Sequence, residues 1–237
     1  MIIMVYMRAH FSLHKMPTFF CEYKILDEAR DDCMTFFGGM TPEDDLRDLG
    51  GKIRLLGRWS TVGEASGYCV CEAPTAKDLS SWLYNWIKMA DIKVLPILND
   101  NQARQIILGK EPDFQVDYSR VAEEAGDGES LYFIKYKFHE GKRMEGYQAF
   151  ANMTEKADQQ DAGNNRPLGR WHNLGLGSGI AICCSKSEED LYRWAFNWAS
   201  MCDCEIVPVV NDRECREVIK SKPDFSKKHR LLMAKMA

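Results

Sequence analysis

The chain has 237 residues, of which 45% are hydrophobic and 28% charged, and its formal net charge is -4. This length and composition are enough to bury a core in one large domain or two small ones. The mildly acidic balance argues against a nucleic-acid binder, which carries a basic excess on one face. No apolar run approaches the roughly 20 residues that a membrane-spanning helix needs.

The chain begins with a predicted N-terminal extension, residues 1–17, which carries basic but no acidic side chains. We expect a mobile extension or an additional strand. A second interpretation is the remnant of a targeting segment, although no small-residue cleavage site follows it.

From residue 18 onward the sequence consists of two copies of one unit. An offset of 112 residues places Trp59 on Trp171, so that LGRWSTVGEASG lies over LGRWHNLGLGSG. The same offset aligns DLSSWLYNWIKMAD with DLYRWAFNWASMCD, and VLPILND with IVPVVND. Agreement between ordered motifs over this length indicates an internal duplication.

Each unit is predicted to contain four strands and three helices. Alternating apolar and polar residues predict the first strand, and Gly-rich stretches predict a hairpin between the second and third. Thr75 and Ser187, each followed three residues later by Asp, predict helix caps, as do the Asn-Asp pairs that begin at Asn99 and Asn211. Strands are predicted at 18–26, 52–60, 68–73 and 91–100, and again at 130–139, 167–174, 180–185 and 203–212. Helices are predicted at 27–40, from 75 and at 101–108, and again at 141–153, from 187 and at 212–219.

The order βαββαβ is that of the ferredoxin-like fold, an α+β sandwich with helices on one face of an antiparallel sheet. One such unit leaves its other sheet face bare, whereas two units in one chain cover it by packing sheet on sheet. The predicted domains are an extension at 1–17, repeat 1 at 18–114, a linker at 115–129, repeat 2 at 130–226 and a C-terminal tail at 227–237. The basic segment KSKPDFSKKHR near the C-terminus is predicted to be solvated.

The ordered motifs Gly-Arg-Trp-His, a Gly-rich turn, a helix with Trp-x-x-x-Trp and Pro-Val-Val-Asn-Asp resemble a family of small bacterial and algal proteins of unknown function. That family is related to the dimeric α+β barrel superfamily, and the resemblance covers both repeats. It implies an intramolecular pseudo-dimeric barrel that needs no second chain. The superfamily includes cofactor-free monooxygenases, haem-degrading enzymes and polyketide cyclases, so the resemblance implies a fold and a pocket, not a reaction.

His172 is the predicted catalytic residue, because an imidazole that titrates near neutral pH can act as an acid or base. It stands beside a Gly-rich turn, and the first copy has Ser60 in its place. The alternative is a residue that caps the turn. A haem site that uses His172 or His139 is compatible with the superfamily, but no spacing requires it.

The predicted substrate-binding residues flank this position. An arginine on a strand can hold a ligand carboxylate, or it can form a structural ion pair with Glu72, Asp78 or Asp190. We favour the ion pair, because both copies keep the arginine. The aromatic residues are either pocket walls or core. The predicted substrate-binding set is Arg170, Trp171, Tyr136, Trp194, Arg58 and Trp59.

Nine cysteines are an odd number, in a chain too long for a small disulfide scaffold. Cys69 and Cys71 lie on one face of a predicted strand, without the Cys-x-x-Cys spacing of zinc sites. We therefore expect free, buried thiols in a reducing, intracellular compartment, and we predict no metal and no cofactor.

Two main functional classes remain open, and a metal or redox protein that uses its cysteines is a third and least favoured one. The sequence does not decide whether the protein is an enzyme. The first is a small-molecule-binding protein or cofactor-independent enzyme with an apolar or aromatic pocket in repeat 2. The second is a non-catalytic interaction or scaffold subunit that binds a protein partner through an outer helix face or the N-terminal extension.

Overall fold

The computed structural model describes residues 16–118, 121 and 124–236. Almost all of the predicted N-terminal extension therefore lies outside the described residues. Repeat 1 contains the strands β1 (Thr18–Ile25), β2 (Arg54–Thr61), β3 (Ser66–Glu72) and β4 (Ala90–Asn99). Its helices are α1 (Arg30–Gly39), which follows a short 3-10 turn, α2 (Pro42–Asp48), α3 (Ala76–Leu83) and α4 (Asp100–Leu108).

Repeat 2 has the same elements in the same order. Its strands are β5 (Ser130–Phe138), β6 (Arg166–Asn173), β7 (Ser178–Ser185) and β8 (Cys202–Asn211). Its helices are α5 (Arg143–Ala151), α6 (Glu155–Ala162), α7 (Glu188–Trp198) and α8 (Asp212–Lys220), and α9 (Phe225–Met236) follows. None of the helices within the described ranges is long and apolar enough to cross a membrane.

The eight strands close into one antiparallel barrel in the order β1-β3-β2-β8-β5-β7-β6-β4. Each repeat contributes four neighbouring strands in ferredoxin-like order, and the repeats join where β2 pairs with β8 and β4 with β6. The predicted fold class, two βαββαβ units that form an intramolecular pseudo-dimeric α+β barrel, is confirmed.

The barrel interior is the main hydrophobic core, and both strand tryptophans lie in it. Trp59 and Trp171 are 2% and 1% exposed. Each ring folds back over the glycine two residues earlier, so that a Cβ on Gly57 or Gly169 would lie 2.4 Å from a ring carbon. The Leu-Gly-Arg-Trp phrase is therefore a packing motif, in which glycine makes room for the indole.

The predicted helix caps are confirmed. The side chains of Thr75 and Ser187 accept hydrogen bonds from backbone N–H groups in the first turn of α3 and α7. Asn99 and Asn211 form reciprocal capping boxes at the start of α4 and α8.

The last helix of each repeat crosses to the other repeat. Helix α4 packs against α5 of repeat 2, and α8 packs against α1 of repeat 1. This exchange brings the first residue of each crossing helix, Asp100 or Asp212, to the outer sheet face of the opposite repeat.

Some helices in polar segments were not predicted. The C-terminal tail contains the helix α9, which packs on α1 and buries Leu232, whereas most residues of the basic segment KSKPDFSKKHR are exposed. Helices α2 and α6 were not predicted at all, because short polar sequences such as PEDDLRD lack an apolar period.

Candidate functional site

Two cavities lie at equivalent places on the outer faces of the sheet, between the strands and the covering helices. The cavity of repeat 1 has a volume of about 550 Å³. Its counterpart in repeat 2 has a volume of about 80 Å³. Because ligand sites for small organic molecules span about 300–1,000 Å³, only the first of these two cavities has room for such a ligand.

The large cavity is lined mainly by apolar and aromatic side chains from both repeats. Phe37 of α1 and the indoles of Trp82 and Trp86 form one side. Both indole N–H groups donate to the carboxylate of Asp48 at the end of α2, at 2.7 and 3.2 Å. The overlooked helix α2 thus fixes the aromatic wall. From repeat 2, α8 contributes Cys215, Val218 and Ile219.

A small polar group lies in this apolar lining. The hydroxyls of Tyr23 and Ser60 are 3.4 Å apart, a weak contact that leaves both with hydrogen-bonding capacity. Burial raises the pKa of Tyr23 well above its usual value, so the phenol keeps its proton. Arg58 is adjacent, and its guanidinium is held by Asp212, at 2.6 Å, and by Asp45, at 3.1 Å.

In repeat 2 the corresponding polar group is a closed network around His172, which is 2% exposed. Its Nε2 is 2.5 Å from Oδ1 of Asp100, and its Nδ1 is 2.5 Å from the hydroxyl of Tyr136. The carboxylate also accepts two hydrogen bonds from Arg170, at 2.9 and 2.7 Å. Both ring nitrogens of His172 are therefore engaged inside the protein.

The charges around the network fix the protonation of the imidazole. Burial lowers the pKa of His172 below its usual value, and the positive charges of Arg170 and Arg104 add to this, although Asp100 opposes it. Burial alone would raise the pKa of Asp100, but the charge and hydrogen bonds of Arg170 hold it far below its usual value. We assign the neutral tautomer in which Nε2–H donates to Asp100 and Nδ1 accepts from Tyr136.

The difference in volume follows from the side chains at matched positions. His172 fills the place of Ser60, and its ring packs 4.4 Å from the Phe150 ring, centroid to centroid. Tyr147 and Phe138, which pack edge to face, stand where repeat 1 has Met34 and Ile25. Larger rings thus occupy in repeat 2 the space that repeat 1 leaves open.

The duplicated strand arginines form structural ion pairs in both repeats, as favoured from the sequence, but the predicted partners were wrong. Glu72 lies opposite Arg54 across the hairpin and pairs with it, and Asp78 pairs with Lys52. Asp190 is bound by the amide of Asn164. The actual partners are the crossing-helix carboxylates, together with Asp45 for Arg58 and Asp158 for Arg170.

The structure divides the predicted site residues among three places. His172, Arg170, Tyr136 and Trp194 line the small cavity of repeat 2. Arg58 lines the large cavity of repeat 1. The prediction that Trp171 and Trp59 form pocket walls was wrong. Their side chains belong to the core inside the barrel and line neither cavity.

Sequence reasoning missed the larger cavity of repeat 1. The available signal was a set of smaller residues at positions matched to larger ones in repeat 2: Ser60 for His172, Met34 for Tyr147 and Ile25 for Phe138.

The described histidines do not fit a haem site. None of them lines the large cavity. His172 has both nitrogens engaged, and His139 lies at the surface 3.1 Å from the carboxylate of Asp203. We therefore derive no haem chemistry for this chain.

Solved structures of a chlorite dismutase share this fold at low sequence identity. An arginine-to-glutamate mutant of chlorite dismutase from Candidatus Nitrospira defluvii is 11% identical, with a TM-score of 0.52, and the match covers 85% of this chain and 94% of that one. A tryptophan-to-phenylalanine mutant of the same enzyme in complex with cyanide is 10% identical, with a TM-score of 0.50 over 85% and 93% of the two chains. A heme-binding protein from Thermus thermophilus is 11% identical, with a TM-score of 0.48 over 86% and 94%.

Sequence comparison adds a family but no activity. No curated protein matches this sequence. Residues 17–111 and 130–223 each match the family described as Domain of unknown function (DUF3303).

Proposed function

We propose that this chain, which belongs to the DUF3303 family and carries its domain twice, binds a small, mainly apolar molecule in the cavity of repeat 1. The observation that carries the proposal is a cavity of about 550 Å³ lined by aromatic and aliphatic side chains beside two partly buried hydroxyls. A cavity of this size and lining is the usual form of a site for a small organic molecule.

The charges beside the cavity favour a neutral polar group on the ligand. Arg58 and its neighbour Arg216 are balanced by Asp212 and Asp45, so a ligand carboxylate would meet no net positive charge. Tyr23 and Ser60 can each donate to a carbonyl or hydroxyl oxygen. We therefore infer a flat or branched hydrophobic ligand with one carbonyl or hydroxyl.

The predicted catalytic role of His172 stays a prediction. No histidine in the part of the chain that the structure describes lines the large cavity, and His172 has no free ring nitrogen with which to move a proton to or from a ligand. The proposal for repeat 1 is accordingly one of binding, and it names no reaction.

The test exchanges the residues that distinguish the two cavities. N-phenyl-1-naphthylamine, a neutral aromatic probe that fluoresces in apolar sites, is titrated into the full chain. We expect Ser60→His to reduce probe affinity at least about tenfold, because the imidazole takes up space beside Tyr23. The matched control is Ala195→Leu, which fills the repeat 2 cavity with the residue that repeat 1 has at this position, and it should leave affinity unchanged. Loss of binding in the control and not in Ser60→His would overturn the proposal.

A second candidate, the interaction subunit, has one observation in its favour. Helix α7 exposes two large aromatic side chains on its outer face, Tyr192 at 68% and Phe196 at 79%. Exposed aromatic residues are enriched at protein–protein contacts. A partner that co-purifies in fixed ratio with the chain, and is lost with Phe196→Ser, would favour this function. Probe binding that survives Phe196→Ser would be expected from the ligand-binding function.

A further inference from the structure

Three cysteine side chains meet on the helix-facing side of the sheet in repeat 1. Cys21 of β1 lies directly opposite Cys69 of β3, and Cys71 follows two residues later on the same face. Their three sulfur atoms lie within 4.8 Å of one another. All three thiols are free, and none is more than 3% exposed.

The cluster is reachable from the large cavity and is not required by the fold. Cys21 and Cys69 line that cavity. At the matched positions repeat 2 has Ile134, Ala181 and Cys183, which form the same sheet face without a thiol cluster. The same sheet face therefore forms with one cysteine at these three positions as well as with three.

We propose that Cys21, Cys69 and Cys71 form a three-sulfur site for a thiophilic trivalent ion, for which arsenite, As(OH)₃, is the soluble probe. Thiolates are soft ligands and select soft ions. An ion bonded to three sulfurs at about 2.3 Å, the usual metal–thiolate length, holds them at most about 4 Å apart. Sulfurs that already lie within 4.8 Å of one another reach this separation by small side-chain rotations.

The apolar surroundings of the cluster favour an ion whose charge is fully neutralised by three thiolates. Its neighbours are apolar, including Ile53, Leu79 and Trp82. A monovalent or divalent ion with three thiolates would leave a negative charge in this apolar layer, whereas a trivalent ion leaves none.

The binding step balances without an oxidant or reductant. Three As–O bonds break and three As–S bonds form. Each thiol proton leaves with one hydroxide, so that As(OH)₃ and three thiols give As(S-Cys)₃ and three waters. The displaced waters leave through the cavity that Cys21 and Cys69 line.

Repeat 2 contains a pair of cysteines that can also bind arsenic, and the experiment must distinguish this pair from the three-sulfur cluster. The sulfurs of Cys202 and Cys204 are 3.9 Å apart, and two thiols can bind arsenic while one hydroxide remains on it. The experiment therefore uses full-length protein with Cys204→Ala as its background. Native mass spectrometry distinguishes the two modes, because a three-sulfur adduct adds one arsenic and loses three hydrogens, without oxygen.

In this background we expect one arsenic per chain, in the oxygen-free form, together with the loss of three reactive thiols. Cys21→Ala, Cys69→Ala and Cys71→Ala should each abolish that adduct. The matched control is Cys183→Ala, which removes the repeat 2 counterpart of Cys71 and should leave it intact. Retention of the three-sulfur adduct in Cys69→Ala, or its absence from the background protein, overturns the proposal.

A gain-of-site variant keeps the test independent of destabilisation in repeat 1. Ile134→Cys with Ala181→Cys recreates the cluster around the native Cys183. We expect this variant to bind a second arsenic in the oxygen-free form. If it binds only one, the arrangement of strand positions does not make the site, and the proposal fails. Uptake of Zn²⁺ by the cluster without any uptake of arsenite would overturn the trivalent assignment.

Discussion

Repeat 1 and repeat 2 have the same frame and the same ion pairs, yet they differ in what fills the space between sheet and helices. Arg58 with Asp212 in one and Arg170 with Asp100 in the other tie each strand to the helix that crosses from the opposite repeat. In repeat 2 the neighbouring space holds His172 and two more aromatic rings. In repeat 1 it is a cavity of about 550 Å³.

The comparison separates residues that hold the barrel together from residues free to diverge. The ion pairs link the two repeats, so losing either one weakens both, and both copies have kept them. Ser60 and His172 are not needed for that link. The substitution between them leaves an open, weakly bonded hydroxyl pair in repeat 1 and a closed hydrogen-bond network in repeat 2.

The largest expected effect is the removal of a crossing-helix carboxylate. Asp100→Ala should lower the free energy of unfolding by about 3–5 kcal/mol, because it leaves Arg170 and Arg104 buried with only Asp158 to balance them. Asp212→Ala should cost clearly less, since the Asp212 side chain is 28% exposed and Asp100 is fully buried. Urea denaturation of both variants measures the difference. Equal losses would show that the two repeats share one electrostatic environment, contrary to the comparison.

The next effect is the conversion of repeat 2 into a cavity like that of repeat 1. His172→Ser should destabilise the chain by about 2 kcal/mol, because Tyr136 and Asp100 each lose a buried hydrogen bond. With Tyr147→Met and Phe138→Ile added, which places the smaller repeat 1 residues at all three positions, a second molecule of the naphthylamine probe should bind. When Ser60→His is added to this triple variant, one probe molecule should bind, now in repeat 2. If that variant binds none, these positions do not control the cavities.

The duplication made the fold predictable, whereas the crossing of α4 and α8 between the repeats was not predicted. Alternation, Gly-rich turns and caps such as Thr75 place the strands and main helices correctly, because these signals are local. The partner of Arg58 is Asp212, 154 residues away. Sequence alone could not select it over the nearer Glu72 or Asp78, because the crossing of α8 is a tertiary event.

The candidate site was less predictable than the fold, for a physical reason. A sequence shows directly where a histidine lies, but it does not show where the packed side chains leave a cavity. The cavity of repeat 1 arises from modest differences in size at positions on several elements, such as Met34 on α1 and Ser60 on β2. The Asp residues that anchor the indoles of the two repeats lie on α2 and α6, helices too short and polar to be predicted from periodicity.

A smaller effect concerns pH. The unfolded chain binds a proton at His172 near pH ~6.5, and burial lowers this pKa in the folded state. Between the two values the unfolded state binds more protons, so stability falls as the pH drops below about 6.5, by at most about 1.4 kcal/mol per pH unit. The pKa of Asp100 is also lowered in the folded state, so its contribution is lost only below about pH 4, and the two effects are separate.

Denaturation curves between about pH 7.5 and about pH 4.5 test this difference between the repeats, because the range spans the histidine titration. Over this range the free energy of unfolding should fall less in His172→Ser than in the wild type, because the part of the loss that comes from His172 is absent. Ser60→Ala, the matched control in repeat 1, should keep the loss, because Ser60 does not titrate. An identical pH dependence in His172→Ser and the wild type would mean that His172 is protonated equally readily in the folded and unfolded chains.

The smallest expected difference lies at the caps of α3 and α7. Thr75 accepts from the N–H of Asp78 and also donates to its carboxylate at 2.6 Å, whereas the Ser187 hydroxyl accepts only from Glu189 N–H among the described contacts at this cap. Either cap is worth about 1 kcal/mol, so Thr75→Ala should cost a few tenths of a kcal/mol more than Ser187→Ala in urea denaturation. Thr75→Ser, which keeps both hydrogen bonds, should cost less than Thr75→Ala. If Ser187→Ala costs more, the second hydrogen bond of Thr75 adds nothing, and the two repeats differ at their cavities but not at these helix starts.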